Sequence, residues 1–150
     1  PKVNQKEELK MSLANNSYIV EIKEAHIMWG EYHPSRHSHS RREIYGEGYI
    51  QIPSDVAYKF NIFNSNNPFG ISARYYCTSY DSYYDGWLLA QGNQSNPIYA
   101  KQFAEEGNLK RIGDWYDYVG ATAGDYVKVV FTSQNHIIIE HSIDRFSFHI

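Results

Sequence analysis

Short runs of β-branched and aromatic residues, each halted by Gly, Pro or Asn, recur along most of this 150-residue chain. They read SYIVEIKEAHI from Ser17, EGYIQIP from Glu47, FGISARYYCTSY from Phe69, WLLAQ from Trp87, ATAGDYVKVVF from Ala121 and QNHIIIEHS from Gln134. Side chains of this kind suit a pleated, half-buried surface, and the spacing of the breakers predicts strands rather than helices. DSYYDG between the third and fourth runs predicts a β-hairpin. PIYAKQF (97–103) reads either as a further short strand or as a lead into a helix, and FSFHI (146–150) as a last edge strand. The first run is expected to stay extended as far as Trp29 and Gly30.

Two short helices interrupt the strands. Pro53 stops the second run, Ser54 is a candidate N-cap, and Val56, Ala57 and Phe60 follow at helical spacing before NSNNP. In GNLKRIGDWYDYVG, Leu109, Ile112, Trp115, Tyr116 and Val119 recur at i, i+3, i+4 and Gly120 ends the pattern. Residues 5–16 favour a helix without a deep apolar stripe. The expected organisation is an N-terminal extension over 1–16 and a single domain over 17–150, mainly β with two short helices, in which about seven strands close into a compact barrel.

Composition narrows what such a barrel does. No run approaches the roughly 18 apolar residues that a membrane span needs, and no signal region follows the opening charges. A single cysteine, Cys77, cannot form an internal disulfide, which points to the cytoplasm. Set in a strand-like run beside Tyr75 and Tyr76, it reads as a small packed hydrophobe. The net charge of −3 argues against a protein that coats nucleic acid through a global positive field. Fourteen Tyr and three Trp suggest a protein- or carbohydrate-binding barrel, although most should serve core and strands.

Tests for catalysis find little. Glu21-Ile22-Lys23 supplies half of a two-carboxylate nuclease site, but only Glu7 and Glu8 precede it, and outward-facing strand charges explain it better. No G-x-S-x-G elbow, phosphate-cradling Gly loop or dinucleotide fingerprint occurs. His33, His37 and His39 could converge on a metal, yet no cysteine and no carboxylate at ligand spacing accompanies them. Neither a catalytic residue, a metal nor a cofactor is therefore expected.

Two hydrophilic segments remain. HPSRHSHSRRE (33–43) offers His33, Ser35, Arg36, His37, Ser38, His39, Ser40, Arg41 and Arg42: guanidinium forks for guanine, hydroxyls for phosphate oxygens, and imidazoles that strengthen as donors when protonated. Gln91, Asn93, Gln94, Ser95 and Asn96 offer amides suited to base edges, for which an ordinary Asn/Gly turn is an equally economical account. Two such projections standing side by side on a closed sheet could enter one groove of a duplex.

The order WGE (29–31), EGYIQIPSDVAYKF (47–60), DGWLLAQ (85–91), NLKRIGDWYDYVG (108–120) and AGDYVKVVF (123–131) resembles the B3-type DNA-binding pseudobarrel, and more closely the recognition domains of some bacterial restriction endonucleases. The resemblance spans about residues 18–141. It implies a seven-stranded open pseudobarrel with an arm between the first two strands, mapping to His33–Arg42, and another between the fourth and fifth, mapping to Gln91–Asn96. It further implies sequence-specific binding of double-stranded DNA in the major groove by a cytoplasmic restriction–modification protein. Hydrolysis would then belong to another domain or subunit of a type II restriction endonuclease. A compact metal-dependent endonuclease using His33, His37 and His39 is the alternative.

Overall fold

The computed structural model describes residues 16–27, 47–92 and 95–150. Along the chain these form β1 (Ser17–Glu21), α1 (Glu24–Ile27), β2 (Ile50–Gln51), α2 (Ser54–Phe60), β3 (Arg74–Ser79), β4 (Asp85–Gln91), β5 (Gln102–Glu105), α3 (Lys110–Val119), β6 (Tyr126–Ser133) and β7 (His136–Ser142). The seven strands make one sheet in the order β1-β6-β7-β3-β4-β5-β2. All neighbours pair antiparallel except β3 and β7, which run parallel with Tyr76 opposite His136 and Ser79 opposite Ile139. The sheet curls into a nearly closed barrel whose one seam lies between β1 and β2. The expected seven-stranded open pseudobarrel is the observed fold.

Alternation along the strands builds the core. In β3, Tyr75, Cys77 and Ser79 point inward; in β6, Val127, Val129 and Phe131 do so; in β7, Ile137 and Ile139. Inward residues of a closed sheet must fill the lumen themselves, and aromatic rings do it: Phe131 lies 5.9 Å from Tyr75, 6.1 Å from Phe60 and 6.4 Å from Phe103, centroid to centroid. Cys77 is fully buried among them, and burial pushes its thiol well above the ordinary value, as befits a packed hydrophobe. Tyr18 of β1 donates to the carbonyl of Gln51 in β2 at 3.0 Å, bridging the seam where no ladder runs.

Helices sit at both ends. Residues Ile112, Trp115 and Tyr116 of α3 enter the core from the end where β5 finishes and β6 begins, and Gly120 closes the helix at φ 69°. Trp115 donates its indole N–H to Asp81 Oδ2 at 2.9 Å. The other carboxylate oxygen of Asp81 accepts from Ser79 Oγ at 2.7 Å and from the Tyr83 amide at 2.9 Å, so this turn ties the β3–β4 hairpin to α3. At the opposite end, Ala57 and Phe60 of α2 are buried, and Asn61 ends that helix in the left-handed region at φ 54°.

Several expectations need correction. Strand β1 stops at Glu21, because the chain turns at Lys23 into the single helical turn of α1; the described residues thus hold three helices, not two. His26 causes this turn, its Nδ1 accepting from the Lys23 amide at 3.0 Å while the ring is buried. Ser54 is not the cap of α2: the Ala57 amide bonds to Pro53 O at 2.9 Å, so the helix starts from Pro53, with no side-chain cap. Residues 69–73 precede β3 as a loop wound around Asn67, whose side chain bonds the amides of Phe69 and Ile71 and the carbonyls of Asn64 and Ile71. FSFHI forms no strand. The tail is held instead by the buried Glu140 carboxylate, which accepts from the amides of His149 and Ile150 at 2.7 and 3.1 Å. Of the two readings left open for PIYAKQF, the strand holds in part: Gln102 and Phe103 form the first half of β5. The helix favoured over 5–16 falls on residues outside those described, save Asn16.

Candidate nucleic-acid interface

The first hydrophilic segment, including His33, Ser35, Arg36, His37, Ser38, His39, Ser40, Arg41 and Arg42, lies outside the described residues. Its roots are described, and they are closely built. Before the segment, His26 of α1 gives its carbonyl to the Tyr49 amide at 3.0 Å, and its ring lies 5.0 Å from that of Tyr49. After it, the Gly48 amide bonds to Leu109 O at 3.1 Å, and Tyr116 Oη donates to Tyr49 O at 2.9 Å. A Cβ at Gly48 would stand 3.0 Å from both Gly113 Cα and His26 O, so any larger residue would press against α3 and α1 where the returning chain passes between them. Burial, with Lys23 nearby, holds the His26 imidazole down to about pH 4, which keeps it neutral in this joint.

The second segment joins β4 to β5. Gln91 closes β4 opposite Gln102, and its carbonyl accepts from the Lys101 amide at 2.9 Å. Gly92 turns the chain at φ 99°, where a Cβ would also meet the Gln102 side chain at 2.9 Å. Asn93 and Gln94 are outside the described residues, while Ser95 and Asn96 are exposed. Asn96 Oδ1 accepts from the amides of Ile98 and Tyr99 at 3.0 and 3.4 Å. Its carbonyl oxygen thus shapes the returning chain. This is the turn account that the sequence left open, and it makes Asn96 a holder of the loop first. An aromatic file braces the loop: Tyr99 stacks on Phe63 at 5.8 Å and meets Tyr58 at 5.5 Å.

The register also separates the two roots. Residue Gln51 of β2 pairs with Gln102, at the end of β5 from which the second segment emerges. The first segment returns through Glu47–Tyr49, ahead of Ile50, which pairs with Phe103. The roots therefore stand at opposite ends of β5, about 10 Å apart at the usual rise per residue. Side-by-side projections were expected; the roots instead bracket the outward surface of β4 and β5.

On that surface Asp85, Trp87, Leu89 and Gln91 alternate outward along β4, beside Arg74 and Tyr76 of β3. Sequence reasoning had taken Trp87 and Leu89 simply as strand residues. Only the register, which sets Arg74 against Leu89 and Tyr76 against Trp87, shows that they share a face with Gln91. Glu21 and Lys23, weighed as half of a nuclease site, pair with each other at 3.5 Å on the surface. No group of three or more His, Cys, Asp or Glu among the described residues is arranged to hold a metal ion. Nor is any described helix long and apolar enough to cross a membrane.

No family model and no curated sequence matches the chain. Solved structures do. The N-terminal domain of Helicobacter pylori LlaJI.R1 superposes with a TM-score of 0.52 at 10% identity, over 89% of this chain and 91% of that one. An Arabidopsis FUS3–DNA complex superposes with a TM-score of 0.48 at 12% identity, over 83% of this chain and 93% of that one. The fold is the pseudobarrel of the B3 type.

Proposed function

From a B3-type pseudobarrel with two hydrophilic connections rooted at opposite ends of one strand, we propose that this chain binds double-stranded DNA sequence-specifically, using those connections as two arms in the major groove. The observation that carries the reading is the separation of the roots. About 10 Å along β5 is close to the roughly 12 Å width of the major groove, so the two arms would reach its floor from either side.

In this reading Arg36, Arg41 and Arg42 supply forked donors to guanine and charge to phosphate, while Ser35, Ser38 and Ser40 take phosphate oxygens. His33, His37 and His39 add donors. From the second arm, Gln91, Asn93, Gln94 and Ser95 address base edges and phosphates, while Asn96 serves mainly to hold the turn. A net charge of −3 keeps non-specific attraction low, so affinity depends on the right sequence being present. The domain fits the recognition part of a restriction endonuclease acting in the cytoplasm, with cleavage supplied by another domain or subunit.

The test is selection from randomised duplexes, followed by affinity measurements on the winning sequence. Wild type should return a defined site. Changing Arg36, Arg41 and Arg42 together to Ala should abolish the preference, since each bidentate base contact contributes about 1–3 kcal/mol of discrimination. Unaltered preference would refute the arm assignment. Incubation of the selected duplex with the chain and Mg²⁺, Mn²⁺ or Zn²⁺ should leave the DNA intact; specific cleavage would favour the His33/His37/His39 endonuclease instead.

A further inference from the structure

The outward face between the two roots carries a built arginine. The guanidinium of Arg74 lies over the Trp87 indole, 4.6 Å from the ring centroid, and Tyr76 meets the same indole edge-on at 5.3 Å. Tyr76 is anchored in turn by donating its hydroxyl to Asp85 Oδ1. Arg74 Nε donates to Glu106 Oε2 at 2.7 Å. Glu106 is itself placed by the sheet, because its amide bonds to Trp87 O at 3.1 Å. The Trp87 ring and the Glu106 carboxylate thus hold the guanidinium from two sides. Among the described residues its two terminal nitrogens have no partner. The side chains of Arg74 and Glu106 are 50% and 47% exposed, and Trp87 is 41% exposed, so the cluster is open to solvent.

Resting on the DNA-binding reading above, we infer that Arg74 is a third, body-borne reading element, positioned by Trp87 and Glu106 to take the O6/N7 edge of a guanine. A planar fork already held from two sides loses little freedom when it forms two parallel hydrogen bonds. Local charge separates a base from a phosphate as the target. Arg74 is neutralised by Glu106, and Arg111 lies 3.5 Å from Glu105 with Asp85 close by. These five side chains sum to a formal charge of −1, which repels a phosphate but leaves a neutral acceptor edge unaffected. Glu106 is a positioning residue here, and Gln91, two pleats along from Trp87 on the same face, is the adjacent amide.

The experiment compares wild type, Arg74→Ala, Arg74→Lys and Glu106→Gln on the selected duplex and on variants with each G·C pair replaced, over a range of salt. All the changed side chains lie on the surface, and thermal melting verifies that each variant stays folded. Arg74→Ala should weaken the selected duplex by about ten- to a hundred-fold, erase discrimination at one G·C position and leave the salt slope unaltered. Lysine has no fork and should not restore that discrimination. Glu106→Gln should strengthen binding to every duplex and steepen the salt slope by about one, while lowering discrimination at the same position. The inference fails if Arg74→Ala keeps the wild-type preference, or if it weakens all duplexes equally with a shallower slope, the signature of a phosphate contact. Wild type selecting no duplex would instead overturn the DNA-binding reading itself.

Discussion

Asp81 does more for this fold than its exposed position in a hairpin turn suggests. Its two carboxylate oxygens hold Ser79, the Tyr83 amide and the indole of the fully buried Trp115. Burial alone would raise its pKa, but the hydrogen bonds from Ser79, Trp115 and Tyr83 outweigh it and hold the carboxyl below its usual range. A depressed folded-state value means stabilisation that is complete above the ordinary carboxylate pKa of about 4 and fades as pH falls through the folded one. Asp81→Asn can satisfy only part of this set and must leave a buried donor wanting. It should cost about 2 kcal/mol at pH 7 by chemical denaturation, and the gap to wild type should shrink as the pH drops below about 4. A gap that stays constant with pH would show that the charge plays no part. Such residues are hard to find in a sequence. Cys77 and the helix pattern of Ile112, Trp115 and Tyr116 were legible, because burial follows local period and composition. Asp81 belongs with Trp115, thirty-four positions away, and Gly48 with Gly113, and nothing local marks either pairing. The Arg74–Trp87–Glu106 cluster was hidden for the same reason, since strand register alone brings its members together.

Among the elements, β2 is the weak member: two residues at an edge of the sheet, paired on one side with β5 and facing the seam on the other. The Tyr18 hydroxyl, bonded across that seam to Gln51 O, does the work of a missing ladder. Tyr18→Phe keeps the buried ring and removes only this bond. The expected cost is about 1 kcal/mol of global stability. Amides of β2 should lose more protection against hydrogen exchange than those of β7 and β3, which lie in the middle of the sheet, far from the seam. Equal loss across all strands would mean that the hydroxyl supports the core generally. Elements with a strong period were readable in advance, from the β3–β4 hairpin to the helix ending at Gly120. The misses have tertiary causes. α1 sits inside a β-rich run and forms because His26 is buried against Tyr49. FSFHI has strand composition, but Glu140 captures its backbone amides before any strand can.

For the whole molecule, the proposed DNA binding raises the question of how an acidic protein would hold a polyanion. Net charge is −3 with histidines neutral. His26 cannot help, because burial keeps it neutral down to about pH 4. The first segment can, since His33, His37 and His39 alternate with its arginines, and three protons there would bring the formal charge of the chain to zero. An ordinary histidine gains its charge as the pH falls through about 6.5, so a pH series tests whether these side chains supply the missing charge. Each added cation that meets a phosphate releases about 0.9 of a counterion, a gain of roughly eight-fold in affinity at 0.1 M salt. Affinity for the selected duplex should therefore rise by about ten-fold or more from pH 8 to pH 6, with a steeper salt slope at the lower pH. His33→Gln, His37→Gln and His39→Gln combined should remove this rise, the amides keeping neutral donors at the three positions. If the triple variant keeps the full rise, the protons are taken up elsewhere on the barrel, and the first segment does not face the phosphates.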